Sequence, residues 1–279
     1  MAARVTIIIP TYNNPRMLLP CVRSITDHTR GVDYDVLIVN NGEPGGCDAL
    51  ATDRVVVLDA GVNLRWEGGL AYGVARTTSP LMLFLNDDTL ILARQADWLA
   101  RLAGHFAAAS VGAAGPASNF ACGWQDNRAS YRMDVFDVPL LSGFCLLVRR
   151  EAWEAAGGSD LDLPLGDDID LSLRLADAGY RLVVDRRVYV HHFGCIASVA
   201  VQGAANTITG YNSPAWAAAI AAALVAKHGR ERIEALHFYS AADLDPPAYL
   251  RPAIDAVLSR VRGQMAAVRS VLEPAYVGS

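Results

Sequence analysis

Short apolar runs that stop abruptly in polar residues recur through the first part of the chain. Val5 to Ile9 is a β-branched run closed by Pro10, and Val36 to Val39 ends in Asn40-Asn41-Gly42. Val55 to Leu58 makes a third run, and Leu81 to Leu85 a fourth that ends in Asn86-Asp87-Asp88. Such continuous runs suit strands buried on both faces, as in a parallel sheet covered by helices. After the first run Thr11 to Pro15 reads as a loop that starts a helix. In that helix Met17, Leu18, Cys21, Val22 and Ile25 recur at helical spacing. Leu70 to Thr77 predicts a second helix ahead of the fourth strand. The pattern is that of an α/β protein with a mostly parallel central sheet flanked by helices.

Beyond Asp88, Ala93 to Ala108 predicts a helix with Trp98, Leu99, Leu102 and Phe106 on one face, whereas the Ala-, Gly- and Ser-rich stretch from Gly112 to Asn127 is hard to assign. Leu140 to Val148 reads as another strand, broken at Ser142-Gly143, where the missing side chain of Gly143 suits either a close ligand or a β-bulge. Glu151 to Ala156 is a short helix, and a longer one runs through Leu171, Leu173, Leu175 and Ala176 to Gly179. Leu182 to Val184 and Val188 to Val190 resume strand character before His191-His192-Phe193-Gly194. Ala215 to His228, Glu231 to His237 and Pro252 to Leu272 are helical, so the expected division is an α/β domain over residues 1–212 and a helical C-terminal region over 213–279.

Composition narrows the picture. With 279 residues, 52% hydrophobic and 19% charged, the chain can bury a large core and is not disordered. A net charge of -5 and the lack of a basic stripe argue against a nucleic-acid partner. The five cysteines are scattered and lack any C-x-x-C spacing, so neither a zinc site nor a disulfide framework is indicated, and a reducing cytoplasm fits best. The apolar run before Pro10 is too short for a signal peptide. The chargeless stretch Ile196 to Ala226 is interrupted by Gln202, Asn206, Asn212 and Pro214, so no membrane span is expected, although peripheral association at the inner face of the membrane stays open.

In open α/β sheets ligands collect at the carboxyl ends of the strands, so Thr11 to Asn13, Asn40 with Asn41, and Asn86 to Asp88 are expected along one edge. Adjacent acids repel unless a proton or a cation relieves them. A hard divalent ion, Mg2+ or Mn2+, would do so and would bring phosphate oxygens with it; the plain alternative is a solvated turn. A second acidic cluster, Asp167, Asp168 and Asp170, opens the longer helix. The helix dipole and capping account for at least one of these acids, but three in four positions exceed what a cap requires. A histidine at a strand end in an acid-rich site is a further candidate ligand.

In this order the motifs resemble the family 2 glycosyltransferases, GT-A-fold enzymes that move a sugar from a nucleotide diphosphate. The elements are Ile9 to Asn13, Val39 to Gly42, Leu85 to Thr89, Leu141 to Gly143, Arg149 to Ala152, Gly157-Gly158, Asp167 to Leu171 with Arg174, and His191 to Gly194, so the resemblance spans residues 4 to 229. The branch most similar is that of bacterial rhamnosyltransferases.

The resemblance implies that Pro10, Thr11, Tyr12 and Asn13 line the nucleotide, with Tyr12 able to stack on the base. Asn40 stands where the family usually has a base-pairing Asp, and Asn86 where many members have the first acid of a D-x-D motif. Asp87 would adjoin the nucleotide, Asp88 would hold the metal and diphosphate, and His191 would add a ligand, with His192 as the alternative. Asp168 matches the general base, with Asp167 beside it, while Gly143, Trp66 and Asp170 would face the sugar or acceptor. Trp66 belongs to a stretch that departs from the family, which after Asn63 tends to have Gly-Phe followed by small residues and a second Asn, where this chain has Leu64-Arg65-Trp66-Glu67-Gly68-Gly69-Leu70-Ala71-Tyr72-Gly73. The expected reaction is metal-assisted, inverting transfer from a UDP- or dTDP-sugar to a glycan, lipid-linked or small-molecule acceptor. A homodimer through the C-terminal helices is open. The competing readings are a non-catalytic binding module, of which Asn40 and Asn86 would be symptoms, and a sugar-1-phosphate nucleotidyltransferase, whose Gly-rich loop Thr11 to Arg16 does not resemble.

Overall fold

The computed structural model describes residues 4–128, 132, 134–163, 165–194 and 213–276. The chain divides into two compact units, residues 1–159 with 171–194, and residues 160–170 with 195–279. The boundary expected after residue 212 falls at the edge of a stretch, 195–212, that lies outside the described residues.

The first unit is built on strands β1 (Val5–Thr11), β2 (Tyr34–Asn40), β3 (Val55–Asp59), β4 (Leu81–Leu85), β6 (Val111–Ala117), β7 (Val135–Val138), β8 (Cys145–Arg149) and β9 (Arg181–Tyr189). They form one sheet in the order β3-β2-β1-β4-β8-β6-β9-β7. Strands β7 and β8 run against the other six. A second, two-stranded sheet pairs β5 (Thr89–Leu90) with β10 (His191–His192).

Helices α1 (Pro15–His28) and α3 (Trp98–Gly104) cover one face, where Leu18, Ile25, Trp98 and Leu102 meet Ile7, Ile9 and Leu83. Helices α2 (Arg65–Val74) and α4 (Arg150–Ala155), with the later turns of α5 (Asp167–Asp177), cover the other, where Leu70, Trp153, Leu171 and Leu175 meet Ile8, Met82 and Phe84. Successive residues of a strand point to opposite faces, so a sheet covered twice needs the unbroken apolar runs seen in the sequence. Each fully buried aliphatic side chain contributes about 1.5–3 kcal/mol. Pro10 is tolerated inside β1 because pairing with β4 ends at Ile8↔Phe84 while pairing with β2 continues through Thr11↔Asn40.

Several elements differ from the sequence expectation for identifiable reasons. Helix α2 starts at Arg65, ahead of Leu70, because Gly68-Gly69 lies inside it. A Cβ at Gly69 would come within 2.8 Å of Pro10 Cβ, and one at Gly73 within 2.5 Å of Ile8 Cγ2, so these glycines let the helix lie directly on β1. The helix expected from Ala93 to Ala108 is only one α-helix, α3, between two 3-10 turns. The strand expected from Leu140 begins at Cys145, after a turn at Gly143, and the two short runs near the end of the unit are one strand, β9.

In the second unit α6 (Pro214–His228), α7 (Arg230–Ala235), α8 (Ala241–Leu244) and α9 (Arg251–Tyr276) follow in order. Ser213 caps α6 by accepting the Trp216 N–H. Ile254, Val257, Val261 and Met265 recur along one face of α9 and pack on Ala215, Trp216, Ala218 and Ala219 of α6. No helix among the described residues is long and apolar enough to cross a membrane.

Candidate functional site

The polar ends of β1, β2 and β4 meet at one edge of the sheet and are tied to one another. Thr11 Oγ1 donates to Asp87 Oδ2 at 2.6 Å, and Asn14 Nδ2 to Asp87 Oδ1 at 3.1 Å. Asp87 thus links the loop after β1 to the end of β4. Burial, more than the neighbouring Asp88, pushes its carboxyl up to about 6, against the opposing hydrogen bond from Thr11. Pro10 is buried, Tyr12 is half-buried and Asn13 is exposed. Asn13 has φ +47° and accepts the Glu43 N–H on its Oδ1. That oxygen sits where a Cβ of Gly42 would be, 2.1 Å away, so only glycine fits at position 42.

Asn40, the expected base reader, is buried and bonded to the protein itself. Its Oδ1 accepts the Gly42 N–H at 3.0 Å, and its Nδ2 donates to Glu43 O and Asp59 Oδ1 at 2.8 and 2.5 Å. An Asp at this position would lose both of the latter bonds.

The β5–β10 pairing brings a histidine to the acids. Register His192↔Thr89 and the bond from Phe193 N to Asp88 O put the His192 ring beside Asp88, with Nε2 3.1 Å from Asp88 Oδ1. Asn119 clamps the His192 backbone, accepting its N–H and donating to its carbonyl, both at 2.9 Å. The ring stacks on Phe144 at 5.0 Å, and Nδ1 lies 2.7 Å from Phe120 O. A carbonyl only accepts, so Nδ1 carries a proton, and in a neutral ring Nε2 presents its lone pair. Asn86 Nδ2 donates to it at 3.1 Å, a bond an Asp could not make. His191 has a different setting, with Nδ1 3.2 Å from the Tyr189 hydroxyl and its ring edge-on to Phe193.

Two acceptors, Nε2 and a carboxylate oxygen, facing each other at 3.1 Å require a bridging proton or a cation. Asp88 and His192 therefore fit a divalent ion, which would take the Nε2 lone pair in place of the Asn86 N–H. Among the described residues no group of three or more His, Cys, Asp or Glu is assembled for one. Mg2+ and Mn2+ are commonly held by one or two protein carboxylates, with phosphate and water completing the shell.

The second acidic cluster opens α5, in the second unit. Asp167 and Asp168 are half-buried, and Asp168 Oδ1 accepts the Ile169 N–H at 2.9 Å. Asp170, fully buried, takes His228 Nε2 at 2.7 Å and Lys227 Nζ at 2.5 Å on its Oδ1, a tether to the end of α6 where the sequence reading had a sugar contact. Trp66 is half-buried against the core under α2, and Gly143 lies in the turn before β8, next to Phe144, whose carbonyl accepts the Asn86 N–H. Among the supporting residues, Asn14, Asn119, Phe120 and Phe144 carry no sequence signal, because each acts through a contact distant in the chain.

Comparison with known proteins points to one family. The family model described as Glycosyl transferase family 2 matches residues 6–155, more than half of the chain. The uncharacterized protein Rv1525 of Mycobacterium tuberculosis is 32% identical over 210 residues, covering 68% of this chain and 72% of that one. The O-antigen biosynthesis protein RfbC of Myxococcus xanthus is 27% identical over 222 residues, covering 68% of this chain and 17% of RfbC. Among solved structures, the mannosyltransferase PcManGT from Pyrobaculum calidifontis, in complex with GDP-Man and Mn2+, superposes with a TM-score of 0.58 at 18% identity, covering 99% of this chain and 78% of that one. GalNAc-T7 with UDP, GalNAc and Mn2+ gives 0.59 at 13% identity, covering 89% and 57%. With its sheet, flanking helices and family match in agreement, the chain is a GT-A-fold protein that belongs to glycosyl transferase family 2.

Proposed function

We propose that the protein transfers a sugar from a nucleoside diphosphate, UDP- or dTDP-linked by the branch it resembles, to an acceptor hydroxyl with inversion at the anomeric carbon. The observation that supports this best is the approach of His192 Nε2 to Asp88 Oδ1 at the carboxyl edge of the sheet. Asp88 and His192 would hold Mg2+ or Mn2+, which when bound neutralises charge on the leaving diphosphate. Both fold relatives were solved with Mn2+, one with GDP-Man and one with UDP, so guanine belongs in any donor test.

Tyr12 offers a half-buried ring to the base, and Thr11 and Asn13 hold the loop that carries it. Asp168 is the proposed base. As the acceptor oxygen bonds to the anomeric carbon, the bond from that carbon to the diphosphate oxygen breaks, its electron pair leaves with the diphosphate, and the hydroxyl proton passes to Asp168. The acceptor is a glycan, lipid-linked or small molecule, and the similarity to RfbC, an O-antigen biosynthesis protein, favours polysaccharide assembly.

The test is calorimetric titration of UDP, dTDP and GDP with Mn2+ and again with EDTA, followed by transfer assays with the matching nucleotide sugars. One diphosphate is expected to bind only with metal. Asp88→Ala should lose that binding, while Asp168→Asn should keep it and lower kcat by about 10^2–10^4. Full transfer by Asp168→Asn would move the base to Asp167, and a folded protein that binds none of the three would overturn the reading.

A further inference from the structure

Buried polar atoms gather at the start of α2. Asn41 Oδ1, Arg65 Nη1 and Glu67 Oε2 are enclosed and hydrogen-bond to nothing among the described residues. Asn41 and Glu67 are each 4% exposed. Their remaining atoms hold the cluster together. Asn41 Nδ2 donates to the Arg65 carbonyl at 2.9 Å, Arg65 Nη2 lies 3.7 Å from Glu67 Oε1, and the Glu67 carbonyl accepts the Ser159 hydroxyl at 3.1 Å. The cluster adjoins the donor edge, since Asn41 N bonds to Thr11 O at 2.8 Å and Gly69 of the same helix lies against Pro10.

Each open valence is unfavourable in a buried setting, and Arg65 adds a backbone at φ +60°, which a side chain strains. Native structures keep few such features, and those they keep mark strain, a bound water or ion, or a ligand.

We infer that Asn41, Arg65 and Glu67 read hydroxyls on the donor's sugar and so select which nucleotide sugar is used. This rests on the nucleotide-sugar reading above. The inventory is two acceptors and one donor. A pair of sugar hydroxyls satisfies it, because each hydroxyl donates one proton and accepts others. The edge of uracil or thymine, one N–H between two carbonyls, would need two donors and one acceptor; the edge of guanine, two N–H donors beside O6, matches the inventory as sugar hydroxyls do, and a loss of bare GDP binding in the variants would mark it.

The experiment compares UDP, dTDP and GDP with UDP-glucose, UDP-galactose, dTDP-rhamnose and GDP-mannose, each titrated with Mn2+ into the wild-type protein, Glu67→Gln and the double variant Arg65→Gly/Glu67→Ala. The double variant relieves the positive φ and removes the buried pair together, so it is expected to melt no lower than wild type, and a loss of binding is then not a loss of fold. In the wild type one sugar should raise affinity over its own bare diphosphate. Both variants should lose about ten-fold of that increment, equivalent to about 1.4 kcal/mol, while binding bare diphosphate within about two-fold of wild type. An equal loss for the bare diphosphate would assign the cluster to the nucleotide and overturn the inference. An unchanged increment, or none in the wild type, would overturn it and leave the donor site itself intact. A wild type that binds no diphosphate would overturn the nucleotide-sugar reading first and this inference with it.

Discussion

Asp185 is fully buried in the middle of β9, yet both of its oxygens are engaged. Arg187 donates to them through Nε and Nη2, each at 2.9 Å, and His105 Nε2 lies 2.9 Å from Oδ2. Burial acts to raise the carboxyl, but the bonds from Arg187 and then His105 outweigh it and hold the group well below the usual carboxylate range. A pKa lowered by folding stabilises the protein above the unfolded value, about 3.9, and that stabilisation is lost as pH falls through the folded value. Asp185→Asn should therefore destabilise the protein by about 2 kcal/mol at pH 7, the scale of hydrogen bonds to a charged group, and the difference should shrink below about pH 4. Urea unfolding at pH 7, 5, 4 and 3 measures it, and a difference that stays constant across the series would deny the carboxylate this part. Asp185-Arg186-Arg187 reads in the sequence as a gap between two strands, because the partners that make such burial tolerable come from Phe106's neighbour His105 and from the carbonyls of Trp124 and Asp126, which accept from Arg186. The histidine pair shows the same limit at the site. His191 and His192 are successive residues of a strand and so point opposite ways, and which of them meets Asp88 is decided by the register of β10 on β5, a pairing that local pattern does not reveal.

At the scale of elements, strands β1 to β4 were legible because double-sided burial demands apolar runs, while β6 was not. Its sequence, VGAAGPA, has weak strand propensity, but the strand is buried throughout, and a Cβ at Gly112 would come within 2.5 Å of Tyr180 Cβ. Close approach also hid the first turns of α2, whose glycines look like a loop to any propensity scale. The two effects oppose each other and can be weighed. Gly73→Ala gains about 1 kcal/mol of helix propensity but forces a Cβ to 2.5 Å from Ile8, and overpacking of this kind costs about 1–3 kcal/mol, so a net loss is expected. Gly104, at the end of α3, has φ -59° and no atom within 4 Å of an added Cβ, so Gly104→Ala should instead stabilise by about 0.5–1 kcal/mol. Urea midpoints of the two variants decide the matter. A gain at both positions would mean that α2 can shift away from β1 at little cost.

For the whole molecule, ligand binding reports on the assembled sheet, because the candidate site exists only once distant stretches have met. Thr11 and Asp87 are 76 residues apart in sequence, and Asn86 and His192 are 106 apart. An unfolded chain has no such site, so a ligand that binds it stabilises the native state by RT ln(1 + [L]/Kd), about 2.7 kcal/mol at a hundred-fold excess over Kd. For a chain of this size each kcal/mol moves Tm by about 2–4 °C, so the cognate diphosphate with Mn2+ should raise Tm by about 5–10 °C in a thermal scan. Asp88→Ala should abolish the shift, and EDTA should remove it from the wild type. If instead the shift were the same with and without EDTA, the diphosphate would bind without metal. The 3.1 Å contact between His192 Nε2 and Asp88 Oδ1 would then be bridged by a proton. The charge of the leaving group would in that case have to be met by the imidazolium itself.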